Sequence, residues 1–344
     1  MLDIFKNDAF SVLSLTDAMR EIKYAPGFVG SLGLFMDDAI DTLDFAIEKD
    51  ADQVISIVPS SPRGGVGDMT ARGRRSMRKL TVPHFQRDDA IYADEVQGVR
   101  AFGQERAIET LQGKIARRAA DHSQSFAITE EYHRLAVITQ GKLLDKDGST
   151  LFNFYTEMGE AAPAEVDFDL DNASPAKAAL RKKCDTIWRQ TAESLDGLPF
   201  TGIIALCGDA FFQDIVEHKE VYDIFLQTEG VKTLQKTTVN APASRTAGIW
   251  GEIEFANIRF INYRGGLSVG IDTNKCYFVP QGVPGLFRSV YAPADYIETV
   301  NTMGQRMYAK QWEMPNGKGV NLEYQMNVIH YCNRPRVLRS ARRT

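Results

Sequence analysis

Residues 42–85 read TLDFAIEKDADQVISIVPSSPRGGVGDMTARGRRSMRKLTVPHF, and the fold turns on this stretch. Leu43, Phe45 and Ile47 alternate with Asp44, Ala46 and Glu48, and Val54, Ile55, Ile57 and Val58 carry the strand pattern on to Pro59. A return strand is expected from Arg78 to Phe85. Between the two, Gly64, Gly65, Gly67 and Gly73 favour a mobile turn over a packed one. A hairpin of roughly 12 paired residues would reach about 40 Å at ~3.3 Å per residue, about twice the length of a typical strand. Such an arm projects, and it needs a partner to lie on.

The charge distribution marks the same region. The 344 residues hold 40 Lys and Arg against 45 Asp and Glu, a net charge of -5, which excludes a generally basic nucleic-acid binder. Residues 60–79 nevertheless carry Arg63, Arg72, Arg74, Arg75, Arg78 and Lys79 against Asp68 alone. The end of the chain, 334–344, carries Arg334, Arg336, Arg339, Arg342 and Arg343 with no acid. An acidic body thus bears two basic islands. With 44% hydrophobic residues it can bury a sizeable core, so disorder throughout is excluded. No apolar run approaches 18 residues, and the N-terminus lacks a signal-peptide pattern, so a soluble product that stays in the cell is expected. Cys184, Cys207, Cys276 and Cys332 are too scattered for zinc spacing and are expected as reduced core thiols.

N-terminal to the hairpin, apolar clusters at Phe10–Leu15 and Phe28–Phe35 are broken by Pro26, Gly27, Gly30 and Gly33, with one short helix expected after Thr16. Two readings stand: an arm that packs on something else, or a strand tucked onto its own domain. C-terminal to it, Ile108, Leu111, Ile115, Ala119, His122 and Phe126 recur every three or four residues along a long helix. Ser123-Gln124-Ser125 is expected to kink or end it before Ile128, Tyr132, Leu135 and Ile138 resume the period. LLDKDGSTLFNFY (143–155) reads as a turn followed by a strand.

Ser174-Pro175 is expected to start a helix closed by Gly197, FTGIIALC (200–207) is a buried strand, and Asp209 is expected to cap the next helix. Residues 249–266 alternate in two strands about a turn at Ala256-Asn257, and Asn316-Gly317 joins a closing hairpin.

Motifs for chemistry are weak. RGGVGDMTARG lacks phosphate-loop order and is followed by no helix start. Glu130-x-x-His133 has di-iron spacing but no second such pair, and reads as a surface helix pair. His84 beside Asp88, Asp89, Asp94 and Glu95 reads as a charged hairpin base in preference to a metal site. No nucleophile elbow occurs, so neither catalytic residues nor a cofactor or metal is assigned. Asn172-Ala173-Ser174 matches a glycosylation sequon in a chain without an export signal and is discounted.

Several stretches, in this order, resemble the major capsid protein E family of tailed phages, the lambda type: DAFSVLSLTDAM (8–19), PGFVGSLGLF (26–35), PHFQRDDAIYADEVQGVRAFG (83–103), TEEYHRLAVITQGKLLDKDGS (129–149), IEFANIRFINYRG (253–265) and NRPRV (333–337). The resemblance implies an α+β chain with the Hong Kong 97-type capsid fold. It divides the chain into an N-terminal arm (1–40), an extended loop (41–98), a peripheral domain with its spine helix (99–165 and 292–344) and an axial domain (166–291). It implies hexamers and pentamers of an icosahedral shell around double-stranded DNA, located in the virion and assembled in the host cytoplasm. The partners implied are other copies of the chain, a portal protein, a decoration protein in some relatives, and packaged DNA held non-specifically; no membrane is involved. Some relatives carry a scaffolding segment ahead of the arm. Here the arm begins within ten residues of Met1, so a separate scaffolding protein is expected. On this reading Phe28, Leu32, Leu34 and Phe35 bury against a neighbouring subunit, and Arg63, Arg72, Arg74 and Arg75 pair with a neighbour's carboxylates. Arg339, Arg342 and Arg343 are the residues expected to face DNA. An encapsulin-like compartment and a non-specific DNA-binding protein are the rival readings.

Overall fold

The computed structural model describes residues 27–50, 75–97, 111–172, 174–227, 249–266 and 269–344. In chain order its elements begin with α1 (Phe28–Ser31), β1 (Phe35–Ala39), β2 (Asp44–Asp50), β3 (Arg75–Thr81) and β4 (His84–Tyr92). The long helix α2 (Leu111–Gln140) follows, then β5 (Lys142–Leu144), β6 (Thr150–Asn153), α3 (Phe154–Met158), β7 (Val166–Asp167) and α4 (Ala179–Ser194). After these come β8 (Gly202–Cys207), α5 (Asp209–Glu217), α6 (Lys219–Gln227), β9 (Ile249–Phe255), β10 (Ile258–Tyr263) and β11 (Lys275–Gln281). The chain closes with β12 (Phe287–Tyr291), β13 (Tyr308–Glu313), β14 (Gly319–Cys332) and β15 (Arg339–Arg342).

Two large sheets organise these elements. One has the order β1-β12-β14-β13, with β4 also paired to β14. The 14 residues of β14 pair with β4 through residues 319–327, with β13 through 320–325 and with β12 through 328–332. The second sheet runs β7-β15-β11-β8-β10-β9. Its central strand β8 is buried on both faces, so its alternation feeds two cores: Ile204 and Leu206 face one, Ile203, Ala205 and Cys207 the other. The first core joins this sheet to α1, the end of α2, β12 and β14; the second packs it against α4 and α5. A third, smaller core lies where Phe126 of α2 meets Ile91 of β4 and Leu322, Tyr324 and Met326 of β14.

Helix α2 runs 30 residues, about 45 Å, without a break at Ser123–Ser125. The helix continues through this stretch, where Ser125 and Thr129 donate their hydroxyls back to the carbonyls of Asp121 and Ser125 at 2.9 and 3.0 Å, giving those side chains partners within the helix itself. The helix stops at Gly141, whose φ of 62° only glycine adopts cheaply and whose missing Cβ leaves room for the Tyr155 ring. Near its C-terminal end, Leu135–Ile138 is buried at four successive positions, so this turn of the helix is enclosed on every side.

The hairpin forms as a two-stranded ladder: β2 pairs with β3 over seven residues, from Asp44↔Thr81 to Asp50↔Arg75. The return strand starts at Arg75, earlier than Arg78, and ends at Thr81; Pro83 offers no N–H to a ladder, and Phe85 belongs to the separate strand β4. The turn at Ala256-Asn257 has positive φ at both residues, 50° and 60°, as a type I′ hairpin requires. At Asn316-Gly317 the closing hairpin is likewise confirmed, with the Met314 amide donating to the Gly319 carbonyl at 2.9 Å.

Several expectations are corrected. The strand after 148 ends at Asn153, whose side chain caps α3 by accepting from the Tyr155 amide. Helix α4 starts at Ala179, not after Ser174. Its cap is non-local: the Glu220 carboxylate accepts from the amides of Leu180 and Arg181 at 3.1 and 3.3 Å. Gly208 is the cap of α5, and Asp209 is its first residue. The segment from Phe28 onward packs on its own subunit, with α1 against α2 and β1 running parallel to β12. The short helix after Thr16 lies outside the described residues. Strand β12 belongs to the sheet of β14, and β15 to the sheet of β8, so a boundary at 291/292 with 292–344 wholly peripheral does not follow the strand pairing.

Candidate functional site: a buried junction and the surfaces it holds

The densest polar construction among the described residues lies on the buried side of α2, at Glu130, Glu131, His133 and Arg134. Glu131 is completely buried. Its carboxylate accepts from the amides of Val29 and Gly30 at 2.7 and 2.9 Å and from the Tyr263 hydroxyl at 3.2 Å. One side chain thereby joins the start of α1, the long helix and strand β10. At Gly30 a Cβ would meet the Arg134 guanidinium at 2.9 Å, so a larger residue there would have to displace that side chain.

Glu130, also completely buried, accepts from Arg306 Nε at 2.9 and 3.0 Å and from Arg134 at 3.4 Å. Arg306 reaches in from the connection between β12 and β13, and Arg134 lies over the Phe35 ring at 5.9 Å. The pair Glu130-His133 is therefore a core feature and not a surface one: Glu130 is held by the two arginines, and His133 packs among aromatic rings. His133 packs 5.0 Å from the Phe85 ring and 6.2 Å from that of His330.

Burial lowers the pKa of His133 to about 4, with Asp145 acting against the shift and Arg134 with it. His330, fully enclosed and hydrogen-bonded to Ser289 Oγ at 2.9 Å, is lowered in the same direction by burial, Arg134, His133 and Arg306. Both are neutral at pH 7. Between pH 6.5 and about 4 the unfolded chain takes a proton on His133 that the folded chain refuses, so stability falls as pH drops through that window and levels off below it. The loss is roughly 3 kcal/mol at about 1.4 kcal/mol per tenfold change in proton affinity. Denaturant midpoints at pH 7, 5.5 and 4.5 should show a shallower decline in His133→Gln than in the parent; equal slopes would contradict this assignment.

The residues expected to meet other subunits or DNA fall into three groups. Phe28 is only 5% exposed and packs 6.2 Å from the Tyr263 ring, so it has no surface left for a neighbour. Leu32, Leu34 and Phe35 are half-buried against the same core, Phe35 lying 5.1 Å from Phe287. Arg63, Arg72 and Arg74 lie outside the described residues, and Arg75 opens β3 opposite Asp50. At the hairpin's base, Arg78 donates to the Thr156 carbonyl at 2.7 Å and Lys79 pairs with Asp44 at 2.6 Å.

The basic end of the chain is not a free tail. Arg339 donates to Ser194 Oγ at 2.7 Å, Arg342 pairs with Asp167 at 3.1 Å, and Arg343 with Asp214 at 2.7 Å. Arg334 and Arg336 both reach Asp196. This island is thus largely neutralised by its own subunit. Of the three residues expected to face DNA, Arg342 keeps the most exposed side chain, at 53%.

Three of the four acids near His84 have partners: Asp88 accepts from Gln86 at 2.8 Å, Asp89 from His122 at 2.9 Å and Glu95 from Lys114 at 2.7 Å, while His84 bonds Asn327 at 2.7 Å. Among the described residues no group of three or more ligating side chains is placed to hold a metal. No described helix is long and apolar enough to cross a membrane. All four cysteines are buried free thiols.

Sequence reasoning missed the junction, although Glu131 sits four residues before Leu135 on a buried face, and a charge on an apolar stripe is the signal that marks it. It also missed an apolar surface on the connection from β12 to β13, where Ile297 is 91% exposed and Val300 and Met303 lie mostly in solvent.

Comparison with known proteins places this architecture. The model of the family described as phage major capsid protein E matches residues 11–343. The major capsid protein of Pseudomonas phage KPP10 is 27% identical, covering 96% of this chain and 95% of that protein. That of Salmonella phage Felix O1 is 22% identical, covering 98% and 97%. Among solved structures, the capsid of Myoviridae phage XM1 superposes with a TM-score of 0.57 at 7% identity over 100% of this chain and 98% of the other, and that of cyanophage P-SCSP1u with 0.53 at 10% identity over 95% and 91%. With an α+β body in two sheets, a long helix between them and a hairpin paired only with itself, the chain carries the Hong Kong 97-type fold and belongs to the phage major capsid protein E family.

Proposed function

We propose that the chain forms the hexamers and pentamers of an icosahedral phage head that encloses double-stranded DNA. The observation that carries this reading is the β2–β3 ladder. It is bonded to neither large sheet, and Met77 on it and Leu43 just before it are exposed. On its inner face Leu80 is buried and Phe45 and Ile47 pack against the subunit's own first core, so the outward-facing Leu43 and Met77 are what it offers to a neighbouring copy. The exposed Ile297, Val300 and Met303 supply a second apolar contact between copies. Shells of this kind rest on many weak contacts, which lets misplaced subunits dissociate.

The division into arm, extended loop, peripheral and axial parts follows the same reading, with two changes. The peripheral part takes β12, and the axial part takes β15. A scaffolding protein, a portal and, where present, a decoration protein are its partners during assembly in the host cytoplasm. Kinship with phage capsid proteins over nearly the whole chain favours a virion over an encapsulin-like compartment. The non-specific DNA-binding reading loses support, because the terminal arginines bond within their own subunit. Contact with packaged DNA rests chiefly on Arg342.

At the hairpin tip, Arg63, Arg72, Arg74 and Arg75 pair with carboxylates of neighbouring copies. Replacing Arg72, Arg74 and Arg75 together with alanine should lower particle yield several-fold and flatten its dependence on salt, since screening would have fewer ion pairs to weaken. Unchanged yield and unchanged salt sensitivity would contradict this role.

A further inference from the structure

Two of the four cysteines face each other in the sheet of β8. Cys207 and Cys276 are directly opposed in the antiparallel pairing of β8 with β11, and their sulfurs lie 3.2 Å apart. The neighbouring pair, Gly208 and Lys275, carries the inter-strand hydrogen bond at 2.9 Å, so Cys207/Cys276 occupies a non-hydrogen-bonded position. There the two Cα atoms come within about 4.5 Å and side chains approach most closely, which lies inside the range a disulfide spans. Closing the bond asks the sulfurs to move by about 1 Å from where they stand, to a bond length of ~2.05 Å.

We propose that Cys207 and Cys276 form a latent disulfide site, reduced during synthesis and closed by a small peroxide. One thiol attacks the peroxide, the O–O bond breaks, and a sulfenic acid and one water result. The second thiol then displaces hydroxide from that sulfur, forming the S–S bond and a second water. Two thiols lose two electrons and two protons, and one hydrogen peroxide becomes two waters. Both side chains are fully buried, and burial pushes the Cys276 thiol well above its ordinary pKa. Neither is a ready nucleophile, so the pair survives in a reducing cytoplasm and reacts slowly outside it. The bridge would tie residues 207 and 276 together across the stretch holding α5, α6, β9 and β10, stapling the sheet where those elements attach. Only the choice of compartment rests on the proposed virion role; the geometry does not.

The test uses the full chain, purified under reductant, freed of it and treated natively with hydrogen peroxide. The expected result is a mass lower by about 2 Da, consistent with loss of two hydrogens. Titration in denaturant should then find two thiols where there were four, peptide mapping should give the 207–276 bridge, and the thermal midpoint should rise until dithiothreitol restores it. Cys184→Ala should leave the bridge intact. Four thiols remaining, over-oxidation without a bridge, or a bridge that includes Cys184 or Cys332 would each overturn the assignment. The wild-type chain decides it, so a cysteine variant that fails to fold leaves the test standing.

Discussion

Truncation after Val337 is expected to cost the chain its folded six-stranded sheet, with soluble yield collapsing and the cooperative thermal transition lost. The seven residues removed include β15, which sits second in the six-stranded sheet, bonded to β11 on one side and β7 on the other. Ala341 is completely buried in the core under α4 and α5, and Leu338 is nearly so in the other core. Removing them bares the β11 edge and strips partners from Asp167 and Asp214. At about 1 kcal/mol for each of several lost hydrogen bonds, with apolar burial added, the loss rivals the 5–15 kcal/mol of a typical domain. Shortening this end is therefore no clean probe of DNA contact; Arg342→Gln, which leaves the strand in place, is the better one. A soluble, cooperatively melting truncation would contradict the placement of β15.

Glu131→Ala is expected to destabilise the subunit by about 3–5 kcal/mol, the cost of removing a buried charged partner and leaving its donors unpaired. The amides of Val29 and Gly30 and the Tyr263 hydroxyl all lose their acceptor, and α1 loses its hold on α2. Glu131→Gln should recover part of the loss, since the amide oxygen still accepts while its NH2 faces a donor. Tyr263→Phe, which removes one of three donors, should cost only about 1 kcal/mol. Denaturant unfolding of the three variants ranks them. A Glu131→Ala subunit within about 0.5 kcal/mol of the parent, the range of an ordinary surface substitution, would contradict the junction.

What could be seen in the sequence was local. The turns at Ala256-Asn257 and Asn316-Gly317 are encoded by residues that tolerate positive φ, and the hairpin and long helix by their periods. The failures were non-local. Helix α4 takes its cap from Glu220, some forty residues away, and the Val29 amide finds its acceptor on a helix about a hundred residues further on. The terminal arginines read as free charge because Asp167, Asp196 and Asp214 are distant in the chain and near only in the fold. Glycine-rich spacing around Phe28–Phe35 fits an arm on a neighbour and a strand on its own domain equally well. The deciding fact is a buried carboxylate on α2.

Electron microscopy of the purified protein tests the central claim most directly. Six-fold and five-fold capsomers, or closed isometric shells built from them, are the predicted result. A small oligomer of fixed size at every protein concentration, with no capsomers, would contradict it.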